Sequence, residues 1–200
     1  MKPTLLASMA IVAAVAMAAT KELPRAVRDV VERALAGEYE AVARYEAFAK
    51  KAEEEGYRGA AALFRAQAKS ERIHAGRFAA ILRDHDLPVP AEEPPKTEVG
   101  STQDNLRAAA RSERVERDTT YHDAVEICQE YRMPELAAIF DQSRDSETEH
   151  ANLCDAAARN LGSMKEPRSY YVCDQCGFTT EIQLPFCPLC RNKRELTRVE

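Results

Sequence analysis

The sequence predicts a mainly α protein: a four-helix bundle with one long crossover, followed by a small module built on paired cysteines. Three observations carry this. Charged residues make up 30% of the 200 positions and aromatics 6%, with no Trp, and the abundant Ala, Glu and Arg favour helix over sheet. A carboxylate–histidine pattern occurs twice: Glu38 precedes Glu71-x-x-His74, and Glu113 with Glu116 precedes Glu147-x-x-His150. Finally, Cys173-x-x-Cys176 and Cys187-x-x-Cys190 form two knuckles ten residues apart. A net charge of −5 leaves no basic footprint for nucleic acid.

Taken in order, residues 1–18 read as an export signal. Lys2 supplies a short positive region, Leu5 to Val15 an apolar core, and Ala16-Met17-Ala18 a small-x-small cleavage site. The expected location is periplasmic or otherwise exported; an uncleaved anchor or a cytoplasmic protein is the alternative. The apolar run is short for a spanning helix of about 20 residues. No twin Arg and no Cys after the run signal folded export or a lipoprotein.

The bundle is expected over residues 19–165. Pro24 falls in the first turn of a helix reaching about Glu55, and Gly56 and Gly59 bracket the turn into a second helix, roughly Gly59 to His85. Residues 86–101, with Pro88, Pro90, Pro94 and Pro95, form the crossover. Ser101 or Thr102 caps a third helix to about Arg132; Pro134 starts a fourth, stopped at Gly162. The cysteine module takes residues 166–200. The hairpins are an internal repeat: AALFRAQAKSERIH at 61–74 aligns without gaps to AAIFDQSRDSETEH at 137–150, with Phe64, Ser70, Glu71 and His74 recurring as Phe140, Ser146, Glu147 and His150. Such a repeat implies a pseudo-twofold axis.

The acids lie in the apolar stripes. Glu38 follows Val31 and Ala34 and precedes Val42 and Tyr45; Glu71 and His74 lie between Phe64 and Phe78; Glu113 and Glu116 follow Leu106 and Ala109; Glu147 and His150 lie between Phe140 and Leu153. The period is helical, so five Glu and two His point into the core. An unpaired buried carboxylate costs several kcal/mol, and two divalent cations offset the charge. Carboxylate with imidazole suits iron or manganese, and a mixed set with open positions suits iron. Two ExxH motifs in register, each with a Glu one helix earlier, argue against simple solvated-face residues. Glu116 has no repeat partner, since Ala41 stands in its place; an extra inward carboxylate suits a metal that changes ligand with oxidation state. Tyr45 and Tyr121 lie within reach of the site carboxylates, while His85 and His122, outside the repeat, read as surface residues. The four knuckle thiolates, Cys173, Cys176, Cys187 and Cys190, make a tetrahedral S₄ site for iron or zinc. Cys128 and Cys154 fall roughly 20 Å apart along their hairpin, too far for a disulfide, and read as small core residues.

With these residues in hand, the chain resembles the rubrerythrin family over nearly everything after the export signal. The resemblance rests on Gly37-Glu38 with Arg44-Tyr45, Glu71-x-x-His74, Asn105-Leu106 through Glu113 and Glu116 to Tyr121, Glu147-x-x-His150 and the knuckles. It implies a ferritin-like bundle with a di-iron site and a rubredoxin-like domain with an Fe(Cys)₄ site. It implies Glu71 and Glu147 as bridges, Glu38, Glu113 and His150 as terminal ligands, and an iron that exchanges His74 for Glu116 on oxidation. It places Tyr45 and Tyr121 as supporting tyrosines. It further implies reduction of hydrogen peroxide with electrons from a donor protein, in oxidative-stress protection, by a homodimer or larger assembly. Two features depart from the family: a slightly short segment between the knuckles, and Arg191 in place of a small residue. Family members are also mostly cytoplasmic, unlike a chain with an export signal.

Three functions follow: a peroxidase, which the electron-carrying module favours; a ferroxidase handling iron; and a non-catalytic metal or redox-sensing protein with a zinc knuckle. The export expectation is tested by fusing residues 1–24 to a reporter active only outside the cytoplasm. The fusion should give signal and the mature chain should begin near Ala19; full-length protein confined to the cytosol contradicts it.

Overall fold

A computed structural model describes residues 22–92 and 97–200. The export signal expected over residues 1–18 lies outside the described residues, as do Pro94 and Pro95 of the crossover. Among the described residues no helix is long and apolar enough to cross a membrane.

The first hairpin pairs α1 (Arg25–Glu54) with α2 (Arg58–Asp84). Pro24 stands at the N-cap, one position before the turn in which the sequence places it. The α1–α2 turn closes through a left-handed Gly56 (φ 80°), with Tyr57 N–H donating to Ala52 O at 2.8 Å. The second hairpin closes the same way: Arg132 takes φ 57° and Met133 N–H donates to Cys128 O at 2.8 Å, before α5 (Pro134–Arg159). A left-handed L-residue costs about 1–2 kcal/mol, so the repeat keeps the turn's shape without its glycine. Past α5, a 3₁₀ turn (Leu161–Lys165) leads to the cysteine module.

The third helix is not the uninterrupted one expected from the sequence. It is α3 (Thr102–Val115), a π-helical turn (Glu116–Thr120) and α4 (Tyr121–Glu130). Ser101 caps it, its hydroxyl accepting from Asp104 N–H at 3.2 Å. The cause of the π turn is readable in the repeat. Tyr45 follows Glu38 by seven residues, whereas Tyr121 follows Glu113 by eight. A wider turn absorbs the extra residue and returns Tyr121 to the inward face.

Two apolar plugs fill the bundle. In one, Tyr45, Phe48 and Phe64 pack ring to ring; in the other, Phe78, Tyr121 and Phe140 do the same. Tyr45 with Phe64 and Tyr121 with Phe140 are repeat equivalents, so the plugs are related by the pseudo-twofold.

The C-terminal module is a three-stranded antiparallel sheet of β1 (Tyr170–Val172), β2 (Thr179–Thr180) and β3 (Thr197–Val199) in the order β2-β1-β3. Its knuckles match each other. Cys173 N–H donates to Phe178 O at 2.9 Å and Cys187 N–H to Asn192 O at 3.0 Å; Gly177 (φ 80°) and Arg191 (φ 58°) are left-handed at equivalent places. The module packs on α2 and α5 through its first knuckle. There Gly177 comes so close to α2 that a Cβ on it meets His74 Nε2 at 2.3 Å and Ser70 Oγ at 2.4 Å.

Gly177→Ala should therefore push the module off the bundle. The left-handed backbone alone costs about 1 kcal/mol, and the clash adds to it. A lower melting temperature, with faster protease cleavage between residues 160 and 169, is the expected outcome; a variant matching wild type in both contradicts the docking.

Candidate metal centre

Between the plugs lies a layer of carboxylates and imidazoles. They arrive from four helices: Glu38 from α1, Glu71 and His74 from α2, Glu113 from α3, and Glu147 and His150 from α5. All six are at most 1% exposed. They form two overlapping quartets, Glu38–Glu71–His74–Glu147 and Glu71–Glu113–Glu147–His150, in each of which the ligand atoms lie within 4.8 Å of one another.

The two shared glutamates divide their oxygens. Glu71 turns Oε2 to His74 Nδ1 at 3.0 Å and Oε1 to His150 Nδ1 at 3.1 Å. Glu147 turns Oε1 to His74 Nδ1 at 3.1 Å and Oε2 to His150 Nδ1 at 2.8 Å. Both are thus placed to bridge two ions. Tyr45 on α1 donates its hydroxyl to Glu113 Oε1, and Tyr121 on α4 donates to Glu38 Oε1, a second pair obeying the pseudo-twofold. The repeat therefore extends to the hydrogen bonds that aim the outer carboxylates.

The histidines are held from behind by the cysteine module. His74 Nε2 lies 3.0 Å from Cys176 O, and a carbonyl only accepts, so Nε2 carries a proton. His150 Nε2 lies 3.2 Å from Thr179 Oγ1, whose own proton goes to Gly177 O at 3.0 Å; Thr179 therefore accepts from His150. Both rings present Nδ1 to the carboxylates as the ligand atom, and fixing the far nitrogen sets that tautomer. These module contacts were not legible in the sequence, although the serines recurring before each ExxH marked the region. Ser70 donates to Gly177 O at 2.7 Å, and Ser146 Oγ stands 3.5 Å from His150 Nε2. Gln67, also unforeseen, donates to His150 O at 3.2 Å and accepts from the Cys154 thiol at 3.3 Å.

The expectation that Glu116 points inward at the same depth is not met. It belongs to neither quartet, its side chain is 18% exposed, and its Oε1 lies 3.3 Å from Ser112 Oγ and 3.6 Å from Arg44. Glu116 stands at the edge of the layer, where the π turn begins. His122 is exposed as expected, beside Asp123 and Glu126; His85 is half-buried. Cys128 and Cys154 are buried free thiols, pushed up by burial to about 11 and about 12, which leaves them inert.

The layer is electrostatically incomplete without cations. Burial pushes Glu38 up to about 8 and Glu113 up to about 7. Burial disfavours charged imidazoles, yet Glu147 and Glu38 hold His74, and Glu71 and Glu147 hold His150, well above the ordinary value. Burial also works against ionised Glu71, but His150 and His74 overcome it and lower its pKa. Even so, Glu38 Oε2, Glu71 Oε1, Glu113 Oε2, both Glu147 oxygens and His150 Nδ1 are buried without a well-formed hydrogen bond. Four carboxylates match the charge of two divalent cations, and these orphaned atoms are the ones such cations take.

The knuckles bring their four sulfurs together, with Cys173 and Cys190 at 3.6 Å and Cys176 and Cys187 at 3.5 Å. A disulfide needs about 2.05 Å, whereas metal–sulfur bonds of about 2.3 Å make a tetrahedron with edges of about 3.8 Å. The neighbouring Cys176, with the N–H groups of Gln175 and Cys176, holds the Cys173 thiol down to about 5. A thiolate is the form that binds metal.

Comparison with known proteins gives a consistent result. The rubrerythrin family model matches residues 29–158. A rubrerythrin from Porphyromonas gingivalis is 36% identical over 163 residues, covering 78% of this chain and 81% of the relative. Nigerythrin from Nitratidesulfovibrio vulgaris is 30% identical over 164 residues, covering 80% and 79%. Among solved structures, fully reduced, all-ferrous nigerythrin superposes with a TM-score of 0.79 at 27% identity, over 91% of each chain. Mycobacterium tuberculosis bacterioferritin shares the bundle fold, with a TM-score of 0.65 at 17% identity over 71% of this chain and 89% of its own.

The titrations predict opposite pH behaviour with and without metal. Glu38 and Glu113 bind protons more tightly folded than unfolded, as do both histidines. The folded chain then holds more protons than the unfolded one, and metal-free stability falls as pH rises from about 4.5 towards 8. Metal displaces those protons, so metal-loaded protein should gain on metal-free protein over the same range. Thermal melts of chelator-treated and iron-loaded protein between pH 5 and 8 check this. Parallel pH dependence in the two would contradict the assignment.

Proposed function

The chain belongs to the rubrerythrin family, oxidoreductases with a carboxylate–histidine di-iron site in a ferritin-like bundle, and its cysteine cluster is compatible with a rubredoxin-type iron; from this premise we propose that it is a peroxidase reducing hydrogen peroxide to water. The observation that carries the reading is the hydrogen bond from His74 Nε2 to Cys176 O at 3.0 Å. It joins a residue of one metal site to a residue of the other by a few covalent bonds and one hydrogen bond. Besides setting the His74 tautomer, the link offers a path for electrons between the two sites, which storage alone does not require.

Held by Glu38, Glu71, His74, Glu113, Glu147 and His150, two irons would supply the two electrons that, with two protons, convert one peroxide to two waters. The chain's own residues arrange the rest. Glu71 and Glu147 hold the ions as a pair. Tyr45 and Tyr121 keep Glu113 and Glu38 aimed inward, and the aromatic plugs keep water from the layer's flanks. Arg44 and Glu116, at the edge of the layer, have side chains 23% and 18% exposed. Cys190 is the one knuckle cysteine that is not buried. An iron held by the four cysteines would take electrons from a donor protein on that side, and the Cys176–His74 contact would be its path to the bundle site. Export by residues 1–18 is part of the same reading and places the donor outside the cytoplasm; so is assembly as a homodimer or larger oligomer.

Purified, reconstituted protein should carry about three irons per chain and be red when oxidised. Cys187→Ser should leave a reduced bundle site able to react once with peroxide, yet stop steady turnover from a protein donor. Single-turnover and steady-state peroxide consumption, with ferrous oxidation in parallel, decide it. Unimpaired donor-linked turnover without the thiolate iron overturns the relay. Fast ferrous oxidation with negligible peroxide reduction in both proteins moves the function to iron handling.

A further inference from the structure

Glu116 is off both quartets but not loose. The Arg44 guanidinium donates to Ser112 Oγ at 3.0 Å, and Ser112 Oγ donates to Glu116 Oε1 at 3.3 Å. The direction follows from the chemistry: a guanidinium only donates, so the hydroxyl accepts from it and has its single proton left for Glu116. Arg44 also stands 3.6 Å from the same Glu116 oxygen. Ser112 lies one helical turn before Glu116, on the last regular turn before the π segment. Arg44 is fixed in turn, 5.4 Å over the Tyr45 ring whose hydroxyl holds Glu113. The chain of contacts thus runs from a site carboxylate outward to the one carboxylate left at the rim.

We propose that Arg44 and Ser112 are positioning residues that latch Glu116 away from the metal pair and so set how readily it engages as an additional ligand. The inference rests on the reading that the bundle holds two redox-active irons. An ion that loses an electron gains charge and attracts a further carboxylate more strongly; its reduced form does so less. A latch that favours disengaged Glu116 therefore favours the reduced pair and raises its midpoint potential. Without it, the arm swings in more readily and the oxidised pair gains.

Ser112→Ala removes the middle of the latch and leaves every quartet residue in place. Losing that bond should shift the balance about tenfold towards engaged Glu116. In potentiometry of the iron-loaded protein that is a fall of about 59 mV for a one-electron step. Ser112→Thr keeps the hydroxyl and should stay near the wild-type midpoint. In a Glu116→Gln background the fall caused by Ser112→Ala should be much smaller, because the amide no longer offers a charged ligand. Crystal structures of metal-free protein supply a readout independent of iron. Wild type should keep the Glu116 carboxyl on Ser112 and Arg44, and Ser112→Ala should release it. An unchanged midpoint in Ser112→Ala, an equal fall in the Glu116→Gln background, or a metal-free wild type with Glu116 elsewhere overturns the latch. None of these measurements uses peroxide, so a protein that fails as a peroxidase still leaves them decisive.

Discussion

The structure depends on one electrostatic constraint: four carboxylates are buried in a layer closed on both sides by aromatic plugs. Glu38, Glu71, Glu113 and Glu147 are each at most 1% exposed. Left to itself, the protein meets this charge by retaining protons, and burial accordingly pushes Glu38 and Glu113 far above the carboxylate range. Two divalent cations meet it better. They would match the charge and take the oxygens left without a well-formed hydrogen bond. The bundle therefore gives up core stability to create a site whose occupancy restores it.

That layer is completed from outside the bundle. The first knuckle of the cysteine module places Cys176 O against His74 and Thr179 Oγ1 against His150, setting both rings with Nδ1 inward. The same few residues therefore orient ligands of one metal site while carrying a ligand of the other. Gly177 makes this possible, because any side chain there occupies the space of His74 and Ser70. Its counterpart in the second knuckle, Arg191, is exposed and keeps the left-handed turn with a side chain.

The pseudo-twofold explains the site's symmetric parts, and its defects explain the rest. Tyr45 with Glu113 and Tyr121 with Glu38, and Phe64 with Phe140, are pairs that the repeat generates. The single extra residue between Glu113 and Tyr121 forces the π turn, and that turn begins at the carboxylate with no repeat partner. The extra residue is thus absorbed without disturbing the aromatic plugs, because Tyr121 returns to its place.

The sequence by itself determined which side chains share the buried layer. Helical periodicity places Glu38, Glu71, His74, Glu113, Glu147 and His150 on inward faces, and the repeat puts them at one depth, since residues three or four apart in a helix share a face whatever surrounds it. The same holds for the knuckles, whose CxxC spacing closes on one metal through local turns. Tertiary structure decided what periodicity cannot carry. It set Glu116 outside both quartets and beside Arg44 from a different helix. The module's seat on the bundle joins His74 to Cys176 across 102 residues of sequence. Such contacts depend on the relative placement of separately formed units, on shape and a few directed hydrogen bonds between them, and these leave no period in either segment.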